Sequence, residues 1–350
     1  MQINSSVRDY SVRETEDLPS AVAGLVGNCR VFALVDGFFT GSEAFKSIDA
    51  GRCLFVEANE KAKSFERLGE VYGWLLENGF RRDCVLLVAG GGVLQDVGCF
   101  VASTLMRGVR WVFIPTTLLA QCDSCIGSKS SINFGRFKNQ IGTFYPPDEI
   151  ILSDSILLTL PTDEVRSGMG EVIKLHLIAG GDRWQWFEAQ AAGRDPKDTP
   201  LREVVRSSLE IKKPFVEEDE FDRGKRNLLN YGHTFGHAYE SLSDFAIPHG
   251  IAVSLGVLTA THLSFQKGWV GEAHYMDLQR LLRPFYEPFD KIVRNLSVDG
   301  IVDAMKLDKK ASGGRLACIL TRGPGAMEKV ELESPNEARH LLGEFMNTLS

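Results

Sequence analysis

The feature that most constrains the fold is an alternation of short apolar runs with helix-spaced stretches over the first 150 residues. The apolar runs are 31–35, 53–56, 85–89 and 111–114, and they end at Asp36, Glu57, Gly90-Gly91-Gly92 and Pro115-Thr116-Thr117. Between them, residues 64–78 and 94–106 carry apolar side chains at helical spacing. Strands that alternate with helices form a parallel sheet covered on both faces. We therefore predict an α/β domain over residues 1–150.

The pattern of the remaining chain is mostly helical. Helical periodicity predicts helices over 163–179, 201–215, 232–243 and 251–267, and a short strand over 316–320. A length of 350 residues suits two domains. We predict a second, mainly α-helical domain over residues 151–350.

Composition excludes several classes of protein. The net charge of −7 argues against a nucleic-acid binder. The sequence contains no run of about eighteen apolar residues, so we predict no membrane span. Seven scattered cysteines and an N-terminus without signal-peptide features predict a reduced, cytoplasmic protein. The acidic run at 217–220 is interpreted as a solvated turn.

A dinucleotide site is predicted where the third apolar run ends. Gly90-Gly91-Gly92-Val93 follows a strand and opens a helix, so its amides and the helix dipole can hold a pyrophosphate. Ligands of open α/β sheets bind at the carboxyl ends of the strands, where Asp36 also lies. Asp36 could accept a hydrogen bond from a ribose hydroxyl, which favours NAD over NADP.

A metal site is predicted from a cluster of histidines. Asn230, His233 and His237 share one face if their segment is helical. Glu171 lies upstream, and His249 follows within seventeen residues of His233. One Glu and two His make the open three-ligand set of a catalytic zinc.

Cations within these motifs predict an anionic small-molecule substrate. They lie in glycine-, proline- or histidine-rich motif contexts of an otherwise acidic chain, and they are Arg107, Lys129, Lys138, Lys174, Lys212 and Arg226.

Together the segments resemble the dehydroquinate synthase family of sugar phosphate cyclases over nearly the whole chain. In order, the matching motifs are Gly-Gly-Gly-Val-Leu-Gln-Asp (90–96), Met106-Arg107-Gly108, Ile-Pro-Thr-Thr-Leu-Leu-Ala-Gln (114–121), Asp123-Ser124, Lys129, Ile132-Asn133, Lys138-Asn139, Gly-Glu-Val-Ile-Lys (170–174), Gly-His-Thr-Phe-Gly-His-Ala (232–238) and Asp308-Lys309-Lys310. The resemblance implies an NAD-binding α/β domain and a helical metal domain with the site in the cleft, usually in a homodimer.

The resemblance also implies a role for each matching position. Its metal ligands are Glu171, His233 and His249, with Zn²⁺ or Co²⁺ bound, whereas helical geometry alone favours His233 with His237. The NAD positions are Asp36, Glu60, Lys63, Gly91, Gly92, Val93, Asp96, Thr116, Thr117, Asp123, Lys138, Thr159 and Leu160. The phosphate positions are Lys129, Asn139, Asn230, His237, one of Lys309 or Lys310, and Arg107, which by the family pattern reaches the site of the partner subunit. The catalytic positions are Asp123, Lys129, Lys174, Lys212, Arg226, Asn230 and His237.

The implied reaction oxidises a substrate hydroxyl with NAD, eliminates phosphate, returns the hydride and closes a ring by an aldol step. Lys212 and Arg226 favour a seven-carbon sugar phosphate with a carboxylate, because a planar bidentate donor suits that group. The alternative is a sister cyclase of the valiolone or inosose type, which acts on an uncarboxylated sugar phosphate. Two remoter alternatives are an NAD- and metal-dependent alcohol dehydrogenase and a non-catalytic nucleotide-binding paralogue.

Four positions depart from the family pattern. Ser128 stands in a segment that usually reads Val-Gly-Gly-Lys-Thr, and Ile251 replaces the usual Glu after His249-Gly250. Cys122 and Cys125 occupy small or apolar positions and are interpreted as two buried thiols. Ile251 removes a charge beside a predicted ligand, so the surroundings of that ligand must differ.

Overall fold

The structure is a computed structural model that describes residues 1–135, 137–191, 194–308 and 316–349. Its contacts divide the chain into two compact units. Unit 1 contains Met1–Leu160 and Lys213–Phe221, and unit 2 contains Pro161–Lys212 and Asp222–Ser350. The division lies beyond the boundary predicted at residue 150, because strand Glu149–Ser153 and helix Asp154–Leu157 belong with the sheet of unit 1. Neither unit is a single stretch of chain.

Unit 1 is built on a seven-stranded sheet. Its strands and helices are β1 Gln2–Ile3, β2 Tyr10–Thr15, α1 Leu18–Asn28, β3 Val31–Asp36, β4 Cys53–Val56, α2 Phe65–Glu77, β5 Val85–Gly90, α3 Gly92–Thr104, β6 Arg110–Pro115, β7 Ile132–Phe134, β8 Phe137–Ile141, β9 Glu149–Ser153 and α4 Asp154–Leu157. The sheet order is β1-β2-β9-β6-β5-β3-β4, and only the β1–β2 pair is antiparallel. Strands β7 and β8 form a separate hairpin. The four predicted strands and two predicted helices are confirmed, whereas β2, β9 and the hairpin were missed.

The central strands are apolar at every position because both faces of the sheet are covered. Along β3, Val31, Ala33 and Val35 pack in a cluster with residues of α1. The intervening Phe32 points to the opposite face, where its ring lies 5.9 Å from that of Trp74 in α2. A continuous apolar run therefore identifies a strand between two helical layers.

Unit 2 is mostly helical. Its elements are α5 Thr162–Ala179, α6 Gly181–Ala191, α7 Leu201–Glu218, which ends within unit 1, α8 His233–Leu242, α9 His249–Gln266, α10 Glu272–Tyr286, α11 Asp290–Val293, α12 Val298–Asp308, β10 Leu316–Thr321, β11 Met327–Leu332 and α13 Pro335–Thr348. Residues 250–264 of α9 are all buried, and α5, α8, α10 and α13 pack around it. Hydroxyls on this helix bond to carbonyls four residues earlier, as Thr259 does to Leu255 at 2.8 Å. Among the described residues, no helix is long and apolar enough to cross a membrane.

Candidate active site

Glycines bring the predicted metal ligands together in unit 2. A Cβ atom on Gly170 of α5 would lie 2.0 Å from the carbonyl oxygen of Gly250 in α9, and one on Gly250 would lie 1.8 Å from that of Ser167. The two helices therefore touch backbone to backbone, which only glycine permits. This contact places Glu171 of α5 beside His249, the first residue of α9.

Helix α8 begins at His233 because Gly232 adopts a left-handed conformation, with φ of 81°. Gly256 of α9 lies against it, so that a Cβ there would be 2.1 Å from the Gly232 carbonyl oxygen. Asn230 ends a separate 3₁₀ turn, Lys225–Asn230, so the condition of one continuous helix from Asn230 to His237 is not met. His233 and His237 do share α8.

The carboxylate of Glu171 lies evenly between two imidazoles. Glu171 Oε1 is 3.4 Å from His233 Nε2 and 3.4 Å from His249 Nε2, which is long for a hydrogen bond. Tetrahedral zinc ligands at about 2.0–2.2 Å from the metal lie roughly 3.3–3.6 Å from one another. Glu171 is 1% exposed, and Oε1 has no hydrogen-bond partner among the described residues. This donor set fits a divalent cation.

His237 is the other imidazole near this group. Candidate ligand atoms of His233, His237 and His249 all lie within 4.8 Å of one another. The two distances of 3.4 Å from Glu171 Oε1 match the tetrahedral spacing directly. The ligand set of Glu171, His233 and His249 therefore stays a prediction, with the three histidines as the alternative set.

The charges around Glu171 shift the pKa values of the group. Burial raises the pKa of Glu171, but the Lys174 ammonium, which pairs with Oε2, and the His233 imidazole outweigh burial and hold it well below its usual range. Burial and Lys174 lower the pKa of His233 to about 4. Burial also opposes a charge on His249, but Glu171 and Glu240 raise its pKa to about 10. A metal ion bound by His249 would therefore displace the proton that this imidazole otherwise carries.

Glu240 holds the far side of His249. Its Oε2 atom is 3.1 Å from His249 Nδ1, which leaves Nε2 facing Glu171. Carboxylates that hold the second nitrogen of a ligating histidine fix its orientation and tautomer. The sequence indicated changed surroundings here, because Ile251 is uncharged, but it did not identify Glu240. What could have pointed to Glu240 in the sequence is its position on α8, seven residues after His233 and three after His237.

The predicted dinucleotide turn lies at the carboxyl end of β5. Gly91 precedes α3, and a Cβ atom there would lie 2.8 Å from Thr117 Cγ2. Further along α3, a Cβ on Gly98 would lie 2.4 Å from Val88 Cγ2, so glycine lets the helix rest directly on the sheet. The result is the N-terminus of a thirteen-residue helix at a strand end, an arrangement suited to a pyrophosphate.

Lys63 contacts one residue of the predicted NAD set and one of the predicted phosphate set. Its Nζ atom lies 2.7 Å from Asp96 Oδ2, which belongs to the predicted NAD set, and donates to Asn139 Oδ1 at 2.9 Å, in the phosphate set. Burial raises the pKa of Asp96 even though Lys63 opposes this shift. Glu60 accepts from Asn133 Nδ2 at 2.8 Å, and Asp36 accepts from the amide of Phe38 at 3.0 Å. The remaining NAD positions, all in unit 1, are Gly92, Val93, Thr116, Thr117, Asp123, Lys138, Thr159 and Leu160.

Left-handed backbone recurs at the predicted phosphate positions. Arg107 and Asn139 have φ of 66° and 55°, and Ser128, beside Lys129, has φ of 65°. Such conformations cost a non-glycine residue free energy and are concentrated at functional sites. In unit 2, His237 lies in α8 and Asn230 is exposed. Lys309 and Lys310 lie outside the described residues.

Comparison with known proteins identifies the family of this chain. Residues 53–167 match the family model of the 3-dehydroquinate synthase N-terminal region, and residues 168–311 match that of its C-terminal region. The chain belongs to the 3-dehydroquinate synthase family.

Curated relatives support this assignment over most of the chain, and a solved structure shares the fold. The 3-dehydroquinate synthase of Alkaliphilus oremlandii is 40% identical over 79% of this chain and 75% of its own length. That of Dehalococcoides mccartyi is 35% identical over 92% and 93%. In fold, the chain is similar to the 2-epi-5-epi-valiolone synthase ValA of Streptomyces hygroscopicus, solved with NAD⁺ and Zn²⁺, with a TM-score of 0.86, 23% identity and 99% of each chain covered.

Cations that match the family's carboxylate side are buried in unit 2. Lys212 is 6% exposed and Arg226 is 5% exposed, and Lys174 is 2% exposed beside Glu171. Such burial of lysine and arginine is uncommon in proteins and is typical of paired or functional cations.

The acidic run at 217–220 was wrongly interpreted as a solvated turn. Glu220 is 4% exposed, and it accepts hydrogen bonds from Ser5, Ser6 and Ser128, each at 2.7 Å. Periodicity could not reveal these bonds, because the partners lie far away in sequence. Cys122 and Cys125 are buried thiols that form no disulfide, as interpreted.

The outer side of α5 contains a buried histidine outside the metal group. His176 Nδ1 lies 2.7 Å from the carbonyl oxygen of Val172, so this nitrogen carries the proton, and Nε2 lies 2.9 Å from Ser207 Oγ. Burial lowers the pKa of His176 to about 4. A surface cavity of about 510 Å³ between α6 and α7 opens at Ser207, but no predicted site residue lines it.

This histidine makes unfolding pH-dependent. Since its pKa is lower in the folded state, the unfolded chain binds the extra proton, and stability is lost as the pH falls from about 6.5 to 4. Relative to His176→Gln, the wild type should lose about 3 kcal/mol more of its unfolding free energy over that interval. Urea unfolding of both proteins in EDTA measures the difference, since the other histidines are common to both. Parallel pH curves would contradict the assignment.

Proposed function

We propose that this protein is a phosphate-eliminating cyclase with 3-dehydroquinate synthase activity, converting 3-deoxy-D-arabino-heptulosonate 7-phosphate to 3-dehydroquinate and phosphate. Family membership and relatives of that name at 35–40% identity support the reaction class. The observation that carries the choice of substrate is the presence of both Lys212 and Arg226, buried in the unit that holds the metal group. A carboxylated substrate offers an anion to such cations.

We propose Glu171, His233 and His249 as the ligands of one divalent metal, most simply Zn²⁺ as in ValA, although Co²⁺ suits the same donors. Asp36, Glu60, Lys63 and the Gly91 turn support NAD on unit 1. When bound, NAD supplies a hydride acceptor that is regenerated within the turnover, and the metal polarises the reacting oxygen.

The residues of the chain then bind, orient and transfer protons. Lys174 keeps the Glu171 carboxylate ionised, because its ammonium lies against Oε2. Lys129, Asn139, Asn230, Arg107 and one of Lys309 or Lys310 are proposed to bind the substrate phosphate, and Asp123 the hydroxyls. The imidazole of His237 is proposed to exchange a proton with that phosphate. Lys212 and Arg226 are proposed to orient the carboxylate.

The sister-cyclase alternative remains the second candidate. Ser128 and Ile251 depart from the usual pattern of the family, and ValA shares the fold. A likeness of 23% identity carries the fold alone, so these features do not displace the first proposal.

The role of NAD distinguishes a cyclase from an alcohol dehydrogenase. Because the hydride returns to the substrate, substoichiometric NAD should support many turnovers of phosphate release without net NADH. Phosphate is measured with a coupled assay and NADH by absorbance at about 340 nm in the same cuvette, with enzyme lacking NAD as the control. NADH that accumulates in step with product would favour the dehydrogenase, and the absence of phosphate release from every sugar phosphate would favour the non-catalytic paralogue.

We further propose a cytoplasmic homodimer. None of the seven cysteines, all of which the structure describes, forms a disulfide, which suits a reducing compartment. The dimer rests on the family resemblance, which assigns Arg107 to the site of a second copy.

A further inference from the structure

Ser128 adopts a backbone conformation that is costly for its residue type. Its φ of 65° is left-handed, its side chain is only 5% exposed, and the family usually has glycine at this point. Something in the surrounding structure must therefore stabilise the serine. The adjacent residue is Lys129, the proposed phosphate ligand.

The stabilising group is the carboxylate of Glu220. Ser128 Oγ donates to Glu220 Oε1 at 2.7 Å, within the buried interior of unit 1. The backbone of Ser128 is held as well, since its carbonyl oxygen accepts from the amide of Tyr145 at 2.7 Å. A hydrogen bond from a hydroxyl to a buried carboxylate is among the stronger kinds in proteins. Glycine at this position would have no hydroxyl to donate.

The next residue along each segment is linked indirectly. Lys129 forms a β-bridge with Phe144, and the ring of Phe144 lies 5.0 Å from that of Phe221 in an edge-to-face arrangement. Glu220 thus holds Ser128 through a hydrogen bond, and Phe221 packs on the bridge partner of Lys129. The Lys129 side chain is exposed, although its backbone is fixed.

We propose that Ser128 and Glu220 are positioning residues, whose hydrogen bond sets the backbone from which Lys129 reaches the substrate phosphate. This proposal rests on the proposed function of Lys129. It also assigns a role to Ser128, the residue that departs from the family pattern. Glycine adopts the left-handed backbone because it lacks a side chain, whereas the serine is held in that backbone by the hydrogen bond of its hydroxyl.

Glu220 provides a matched control for the test. Ser5 Oγ donates to the same Oε1 atom at the same distance of 2.7 Å, but Ser5 is far from Lys129 in the chain. If Glu220 only stabilises the fold, Ser5→Ala and Ser128→Ala should behave alike. If the bond positions Lys129, only Ser128→Ala should affect phosphate binding.

The experiment compares Ser128→Ala, Ser128→Gly and Ser5→Ala in the full-length holoenzyme. We expect Ser128→Ala to raise both the substrate KM and the competitive inhibition constant of inorganic phosphate by about tenfold to a hundredfold. Ser128→Gly should recover most of that loss, since glycine tolerates the left-handed backbone. Ser5→Ala should leave both constants unchanged, even if its melting temperature falls as much. Equal effects of the two alanine variants, or no recovery with glycine, would overturn the proposal.

Hydrogen exchange separates this proposal from the proposed function. In the protein without substrate, the amides of residues 126–131 should exchange faster in Ser128→Ala than in wild type or Ser5→Ala. Faster exchange with no turnover of any sugar phosphate would refute the function while the positioning of the Lys129 backbone stood. Unchanged exchange in an active enzyme would refute the positioning alone.

Discussion

A His233→Ala variant is expected to lose its stoichiometric divalent metal and at least about a thousandfold in kcat/KM, since a metal supplies several kcal/mol of transition-state stabilisation. The reason is that His233 Nε2 is one of the two nitrogens that lie 3.4 Å from the buried Glu171 Oε1 atom. Metal content is measured by elemental analysis of the purified protein. His340→Ala, at a histidine side chain that is 73% exposed, is the control and should keep both metal and activity.

Two further variants distinguish the possible ligand sets. His237→Ala should retain the metal while losing activity, because His237 is proposed to act on the substrate. Glu171→Gln should lose the metal, with circular dichroism used to confirm folding, since the change leaves Lys174 without its carboxylate partner. The opposite outcome, metal lost from His237→Ala and kept by Glu171→Gln, would assign the site to three histidines. Full metal content in His233→Ala would contradict both sets.

An Arg226→Ala variant is expected to lose about 2–5 kcal/mol of transition-state binding for the carboxylated substrate, which is roughly thirtyfold to several thousandfold in kcat/KM. Arg226→Lys should recover only part, because a lysine lacks the planar fork that pairs with a carboxylate. Arg223→Ala, at an exposed arginine on the same segment, should be nearly neutral.

Substrate preference provides the second half of this test. The wild type should discriminate strongly against sugar phosphates that lack a carboxylate, because its buried cations would then have no substrate anion. Sedoheptulose 7-phosphate turned over faster than the carboxylated substrate, with Arg226→Ala near neutral, would select the sister-cyclase alternative. The fold and the metal group would be unaffected by that result.

The sequence predicted the parts of the fold that periodicity encodes. Strands β3, β5 and β6 were recognisable because burial on both faces makes them almost continuously apolar. The edge strand β4 was recognisable as a short apolar run although it is only partly buried, and α5 and α9 because they are long. Strand β2 was missed because its Tyr10 and Val12 alternate with polar residues near one edge of the sheet. Helix α8 was predicted to within one residue at each end, but the left-handed conformation of Gly232 that begins it could not be read from periodicity.

Residues of the site differed in how far the sequence could predict them. Glu171, His233 and His249 have motif contexts, so the family resemblance could identify them. Glu240 and Glu220 act through contacts that only the folded chain creates, across nine residues to His249 in one case and across more than two hundred to Ser5 in the other. Long-range hydrogen bonds leave no periodic signal in a single sequence.

The return of Lys213–Phe221 to unit 1 limits how this protein can be dissected. A fragment that ends at residue 160 would contain every strand of the seven-stranded sheet but not Glu220, so the hydroxyls of Ser5 and Ser128 would lose their common acceptor. A chimera that exchanges residues 1–160 between relatives would meet the same difficulty unless residues 213–221 came from the same parent. We therefore expect truncated or recombined versions of this chain to keep these hydrogen bonds only when the nine-residue segment matches the sheet it packs with.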